Sequence, residues 1–273
     1  MHDPTRSVER KAWRVGGFAY GSRTVPEETA VAFTYNGSSY AVMMATPHDL
    51  ADFAFGFSLT EGIVKSPDEI ESLEVIHEPI GIELRMRLTE PYGTAFQDRR
   101  RFLAGPTGCG LCGIESLGEA MRAPAVIHDA SHFAPQEIVA AVAALAGLQK
   151  INQVTRAVHG AAFYRHGEGI IALREDVGRH NALDKLAGAL AAKALSPQGG
   201  VGLLTSRLSV ELVQKAAAMG MPVLVAVSAP TSLAVRTAEA AGITLVGIAR
   251  HDGFEIFTHS QRISEKRKAH VIA

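Results

Sequence analysis

Two cysteines among 273 residues are too few to staple a secreted scaffold, which points to a reducing compartment, the cytoplasm, and to thiols kept for chemistry. An excess of charge of either sign is also missing. Lysine and arginine number 27 against 28 acidic residues, a formal charge of -1, so nothing global draws the chain to nucleic acid or an anionic membrane, and neither is expected as a partner. No apolar run approaches the roughly 18 residues that cross a bilayer. The opening MHDPTRSVERKAW is polar and lacks the apolar segment of a secretion signal. What is present is 47% hydrophobic and 20% charged residues, ordinary globular composition with material for a large core.

The two halves differ in pattern. ETAVAFTYNGSSYAVMMAT reads as two β runs about Asn36-Gly37, a hairpin signal. Thr46 and Pro47 stand where an N-cap and first helical residue belong, and the helix DLADFAFGFSLTEG should stop at Gly62. IGIELRMRL alternates, with Ile80, Ile82, Leu84, Met86 and Leu88 on one face of a half-buried strand. Residues 1–105 are therefore expected to form a small α+β domain, and 106–122 a glycine-rich loop with a short helix, IESLGEAM. Residues 123–273 are expected to form an α/β domain. There, short apolar strands (AVHGAAFY and GIIALRED, joined at a polar turn, then GVGLLTS, PVLVAVSA, ITLVGIAR) alternate with helices (PQEIVAAVAALAGLQ opened by Pro135, RHNALDKLAGALAAKAL, VELVQKAAAMG, SLAVRTAEAAG), the pattern of a largely parallel sheet covered on both faces. The tail SEKRKAH is expected to be solvated.

Both cysteines fall in GPTGCGLCGIE, residues 105–115. The stretch also spells GxGxxG, but a dinucleotide fingerprint needs a buried strand feeding its first glycine. Here the feeder, DRRRFLAGPT, holds a proline and three arginines. Zinc needs about four ligands, and a second CxxC is missing, which leaves a shared or histidine-completed site as the metal alternative; no metal is expected. Inert buried thiols usually have apolar neighbours, not glycines. A reactive thiol fits better, because backbone amides, a helix N-terminus and nearby cations favour the thiolate. Cys109, farther from the helix expected near Ile114, suits the first nucleophile, and Cys112 an assisting or resolving thiol.

Five stretches together resemble one family: GCGLCG at 108–113, EDVGRHNALDK at 175–185, LLTSR at 203–207, VSAPTSLAV at 227–235, and VGIAR with the later THSQR. The resemblance is to the FdhD/NarQ family, the formate dehydrogenase accessory sulfurtransferases, and runs from near Tyr20 to Arg262. It implies a sulfur carrier that takes persulfide sulfur from a cysteine desulfurase and passes it to the molybdenum (or tungsten) bis-molybdopterin guanine dinucleotide cofactor needed by formate dehydrogenase, with GDP as an analogue of the guanine end. Cys109 would carry the persulfide. Ile248, Ala249, Arg250, His251, Asp252 and Gly253 would match the family's cofactor-binding segment. The resemblance also implies a cytidine-deaminase-like three-layer α/β/α fold for the second half, and a homodimer. The chain departs where relatives read TGGxH, having TRAVH at 155–159, and IARHDG replaces a Pro-Gly-Arg-like turn.

Ligands of open α/β sheets sit beyond the carboxyl ends of parallel strands. Three apolar strands here end in polar groups: Thr205, Ser206 and Arg207; Ser228; and Arg250, His251 and Asp252. Such hydroxyls, amides and guanidinium forks suit a pyrophosphate. His180 and Asp184 fall at i and i+4 on one helical face, as packing support or as contacts to loop or cofactor. A zinc deaminase is excluded, since it uses HxE ahead of PCxxC, whereas His159 follows the cysteines and Ala161 holds the carboxylate position. Two alternatives to sulfur transfer remain: a cofactor-binding chaperone that passes no sulfur, and a CxxC thiol-disulfide oxidoreductase.

Overall fold

In the computed structural model, residues 3–90 and 124–264 are described. Both cysteines, the helix expected at IESLGEAM and the tail beyond Ser264 lie outside them. The chain begins with a hairpin of β1 (Thr5–Arg14) and β2 (Gly17–Pro26), paired only with each other. A four-stranded sheet follows, in the order β4-β3-β6-β5, from β3 (Thr29–Tyr35), β4 (Ser38–Ala45), β5 (Ile70–Glu78) and β6 (Gly81–Leu88). The β3–β4 turn forms as the sequence predicts. Asn36 (φ 49°) and Gly37 (φ 76°) are both left-handed, the geometry a two-residue hairpin turn needs.

Helix α1 (Leu50–Thr60) covers one face of this sheet. Phe53 and Phe57 pack on Phe33, with ring centroids 4.9 and 4.1 Å away, beside Val31, Ile82, Leu84 and Met86. The helix stops before Gly62 (φ 68°), as expected, but it starts later than expected. Thr46 is no cap: its N–H donates to Asp176 Oδ2 (2.9 Å), its hydroxyl accepts from Val177 N–H (3.1 Å), and its carbonyl accepts from Lys185 Nζ (2.8 Å). A residue tied to three distant groups cannot also turn the chain into a helix, and left-handed Asp49 (φ 53°) makes the entry instead. Ile80 also departs from the expected face. It sits in the β5–β6 turn, 93% exposed, whereas Ile82, Leu84, Met86 and Leu88 are buried.

The second half holds α2 (Pro135–Leu148), α3 (Lys150–Thr155), β7 (His159–Arg165), β8 (Gly169–Asp176), α4 (Arg179–Ala192), β9 (Gly200–Leu204), α5 (Val210–Met219), β10 (Val223–Ala226), α6 (Ser232–Ala241), β11 (Thr244–Arg250) and β12 (Gly253–Ile256). The sheet order is β12-β11-β10-β9-β7-β8. Only β9, β10 and β11 pair in parallel, so the expectation of a largely parallel sheet is corrected to a mixed one. Gly167 (φ 77°) and Gly169 (φ 82°) close a tight β7–β8 turn, and the β11–β12 turn reverses the chain at the other edge, giving antiparallel ladders at both edges; β7 also runs antiparallel to β9, a long-range pairing that no turn sets.

Helices cover both faces of this sheet. α4, α5 and α6 bring Leu183, Leu186, Leu212 and Ala238 against Phe163, Leu204, Leu224 and Leu245. On the opposite face α2 brings Ile138, Ala141 and Leu145 against Val201, Val223, Val225 and Val246. Pro135 opens α2, and the Glu137 carboxylate accepts from the Ala134 N–H (2.8 Å), half of a capping box.

α1 and α4 cross back to back, joining the two halves. A Cβ on Gly56 would lie 1.7 Å from the Asp184 carbonyl oxygen, and one on Gly188 1.9 Å from that of Asp52. Glycine at both positions lets the backbones touch, which no other residue permits.

Candidate functional site

The stretch EDVGRHNALDK turns out to work mostly inward. Glu175 accepts from the N–H groups of Ile151 and Asn152 (both 2.9 Å), capping α3. Asp176 is fully buried and accepts from Thr46 N–H, Gly178 N–H (2.7 Å), Asn181 Nδ2 (2.9 Å) and Lys185 Nζ (2.6 Å). Both members of the Asp176–Lys185 pair are sealed from solvent, so four donors on one carboxylate are what make its burial tolerable. Asn181 also donates to the Met44 carbonyl (2.9 Å), so the cluster clamps β4 and Thr46 to α4.

Deeper along α4, Asp184 accepts from Thr60 Oγ1 (2.6 Å) and pairs with Lys215 of α5 (2.9 Å), which also reaches Glu61. Burial pushes the Asp184 carboxyl up, with the Lys215 charge the chief opposing influence. Burial alone would lower Lys215, but Asp184 and Glu61 outweigh it and hold the ammonium above its ordinary value. His180 does not join Asp184, although the two share a helical face. It lies between Ser209 (3.5 Å) and Glu211 (4.0 Å) at the start of α5. Burial, aided by the charges of Arg179 and Lys215, takes its pKa down to about 4, so the ring is neutral at pH 7.

Around this clamp lies a polar rim at the carboxyl ends of β9, β10 and β11, where α4, α5 and α6 all begin. His159 opens β7 directly opposite Asp176. Burial lowers its pKa, Arg179 pushes the same way and Asp176 opposes. Thr205 stitches β9 to β7, its hydroxyl accepting from Gly160 N–H (2.8 Å). Ser206 is buried and donates to the Arg207 carbonyl (3.0 Å), whereas Arg207 is exposed. The loops beyond β9 and β10 are tied together by Leu208 N–H to the Ala229 carbonyl (3.3 Å) and Thr231 N–H to the Leu208 carbonyl (2.9 Å).

The Ser228 carbonyl accepts from Ile248 N–H (3.2 Å), which brings the second and third strand ends together. Ile248 has φ 53°, a left-handed backbone that a β-branched side chain adopts only under constraint. It occupies the register shift between Gly247 and Arg250. Ala249 faces away from the rim, 1% exposed in the α2-side core. Arg250, His251 and Asp252 are exposed, and Gly253 (φ 154°) closes the turn.

Positive helix ends favour anions. Gly178 and Ser209, the caps of α4 and α5, make no side-chain cap bond, while Thr231 caps α6 by accepting from Ala234 N–H (3.2 Å). In α5 the Glu211 carboxylate accepts from its own N–H, so the α4 amides, exposed Arg207 and Arg250, and the Ser228 and Thr205 hydroxyls are the groups that fit a phosphate-bearing ligand. Among the described residues, no group of three His, Cys, Asp or Glu side chains is disposed to hold a metal ion.

A model of the FdhD/NarQ family matches residues 26–264. The chain belongs to the FdhD/NarQ family. The match begins where β2 ends, so the β1–β2 hairpin precedes the segment that defines FdhD/NarQ proteins. The sulfur carrier protein FdhD of Agrobacterium fabrum is 55% identical over 259 residues, 94% of this chain and 96% of that one. The protein of the same name from Brucella abortus is 52% identical over 96% and 97% of the two chains, and that from Cupriavidus necator 48% over 93% and 88%. A crystal structure described as a formate dehydrogenase accessory protein from Desulfotalea psychrophila superposes with a TM-score of 0.74, covering 96% of this FdhD/NarQ chain and 100% of that one. At 24% identity, that likeness speaks for the fold.

What the sequence reasoning missed is the clamp. Its signal was legible: Asp176, Asp184, Lys185 and Lys215 are charges on otherwise apolar elements, and a charge in such a place is paired when buried.

Proposed function

We propose that this chain is a sulfur carrier for formate dehydrogenase, a sulfurtransferase working through a cysteine persulfide. The observation that carries the reading is its 48–55% identity, over nearly the whole chain, to proteins named sulfur carrier protein FdhD. The Cys109 thiolate attacks the terminal sulfur of a persulfide on a cysteine desulfurase; the new S–S bond forms on Cys109 and the desulfurase cysteine leaves as thiolate. The carried sulfur then passes to the substrate, the molybdenum (or tungsten) bis-molybdopterin guanine dinucleotide destined for the formate dehydrogenase apoenzyme. Cys112 assists by attacking the inner sulfur, releasing the outer one and leaving a disulfide.

The rim residues Ser206, Arg207, Ser228 and the segment Ile248 to Gly253 hold the guanine dinucleotide end. The Ile248 and Ala249 backbone contributes rather than their side chains, and GDP serves as a probe. His159, whose burial favours the neutral ring, adds no positive charge beside Arg179 and can accept a hydrogen bond from the substrate.

In this reading residues 1–105 form the supporting domain, 106–122 the sulfur-bearing loop, and 123–273 a cytidine-deaminase-like domain. The protein acts in the cytoplasm as a homodimer; no helix among the described residues is long and apolar enough to cross a membrane.

The test is Cys109→Ala in a strain dependent on this protein for formate dehydrogenase. GDP binding by calorimetry should stay as in the native protein while enzyme activation is lost. Activation that persists would remove the mechanism, and loss of GDP binding would place the thiol in the wrong role.

A further inference from the structure

We propose that the β1–β2 hairpin is an exchange arm that docks along the outer edge of β5 in a second copy of this chain. Two lone strands are marginal in water and need a third strand or a covered face. Among the described residues the hairpin has no third strand, and only its base packs, against α3. Its strands pair only with each other, and its base is held by Glu27 N–H to the Pro4 carbonyl and by Arg23 Nη2 to the Thr155 carbonyl (3.0 Å). Toward the turn, Trp13 is 67%, Phe18 65% and Tyr20 80% exposed. These aromatics share one face, since Trp13 pairs with Phe18 and Lys11 with Tyr20, and the Lys11 ammonium sits 4.3 Å above the Phe18 ring. The opposite face of β1 carries Arg6, Arg10 and Arg14.

Charge selects the occupant. Residues 5–26 hold five basic side chains and one acidic, a net +4, in a chain whose total is -1. The compensating charge is concentrated, not spread: residues 67–90 hold seven acidic side chains against two basic, a net -5. That segment contains β5, an edge strand of the four-stranded sheet, with Glu71, Glu74 and Glu78 exposed. Among the described residues, the partners of Glu71 and Glu74 are solvent-exposed, Arg87 at 3.6 Å and Arg85 at 3.8 Å, contacts of little worth.

The lengths also agree, ten residues in each hairpin strand against nine in β5. Among the described residues β5 is an edge strand, and such a strand can accept an added one through its outward N–H and C=O groups. Two acidic β5 edges would repel each other if they met, so the sheet admits the basic arm and rejects its own copy of the edge. The inference specifies the surface of the two-copy assembly proposed above and is independent of the cysteine chemistry.

The experiment uses two full-length variants: Arg6→Glu/Arg10→Glu/Arg14→Glu, and Glu71→Lys/Glu74→Lys/Glu78→Lys. Light scattering after size exclusion should show the native chain as a dimer and each variant alone as a monomer, its dimer affinity down by about tenfold or more. An equimolar mixture should regain the dimer, because both arm–edge contacts are then between opposite charges. Circular dichroism checks that each variant is folded. Trp13 is the only tryptophan, so its fluorescence reports the arm directly; the native emission should shift to the blue with rising concentration, without any substitution. A monomeric native chain, a dimer indifferent to either reversal, or emission independent of concentration would each overturn the inference. A monomeric native chain that still activated formate dehydrogenase would remove the arm and leave the Cys109 reading in place.

Discussion

The clamp between α1 and α4 and the rim at the strand ends share one stretch, residues 175–185, yet solve opposite problems. In the clamp both aspartates are enclosed and answered: Asp176 by four donors, Asp184 by Thr60 and Lys215. On the rim, Arg207, Arg250 and His251 face solvent, and α4 and α5 begin without side-chain caps. A charged motif inside a fold is satisfied by its own neighbours, whereas a site for another molecule leaves its donors available. Much of the charge in EDVGRHNALDK therefore positions the rim; the ligand-facing candidates in that stretch are the α4 amides and Arg179.

The sharpest break in this comparison is Asp176→Asn. It leaves the sealed Lys185 ammonium without its counter-charge and should cost about 3–5 kcal/mol of stability. Urea unfolding at pH 7 measures it, and adding Lys185→Met should recover part of the loss, because an uncompensated charge and not lost packing is responsible. Next, Gly188→Ala drives a methyl into the Asp52 carbonyl and should cost about 3 kcal/mol by forcing the two helices apart, read from the same unfolding curves.

His180 carries a smaller, pH-dependent effect. Its folded pKa of about 4 lies below the value near 6.5 of an unfolded ring. Between those values the unfolded chain binds more protons, so this contribution is fully present above pH 6.5 and declines as pH falls toward 4. Allowing for its partial exposure, the loss is about 2 kcal/mol. His180→Gln should flatten the stability profile in that window; an unchanged slope would mean the ring is already protonated in the fold. The smallest effect belongs to the rim. Arg250→Ala should weaken GDP binding about tenfold without moving the unfolding midpoint, as calorimetry and thermal melts would show together.

Local signals carried much of the second half. Apolar strands such as Gly200–Leu204 and helix openers such as Pro135 are set by neighbours in sequence, and those elements stand where the pattern placed them. What the pattern could not supply was long-range. Thr46 looks like a cap because Thr-Pro often is one, but its partners lie some 130 residues away. The polar turn between β7 and β8 was legible, but which strand lies on the other side of β7 was not. The strands of the β1–β2 hairpin escaped notice because neither has a buried face to impose alternation. On the rim, the strand-end hydroxyls and arginines were legible from the sequence, while the inward turn of Ala249 and the strained backbone of Ile248 needed the fold. Cys109 and Cys112 lie outside the described residues, so their roles stand as proposed.

The central claim is that sulfur rides on Cys109, and peptide mass measurement tests it most directly. The full chain would be incubated with a cysteine desulfurase and cysteine, then digested without reductant. The account predicts the mass of one added sulfur atom on the peptide containing Cys109, removed by cyanide and absent from Cys109→Ala. A chain that activates formate dehydrogenase yet never gains that mass, or gains it with Cys109 replaced, would contradict it.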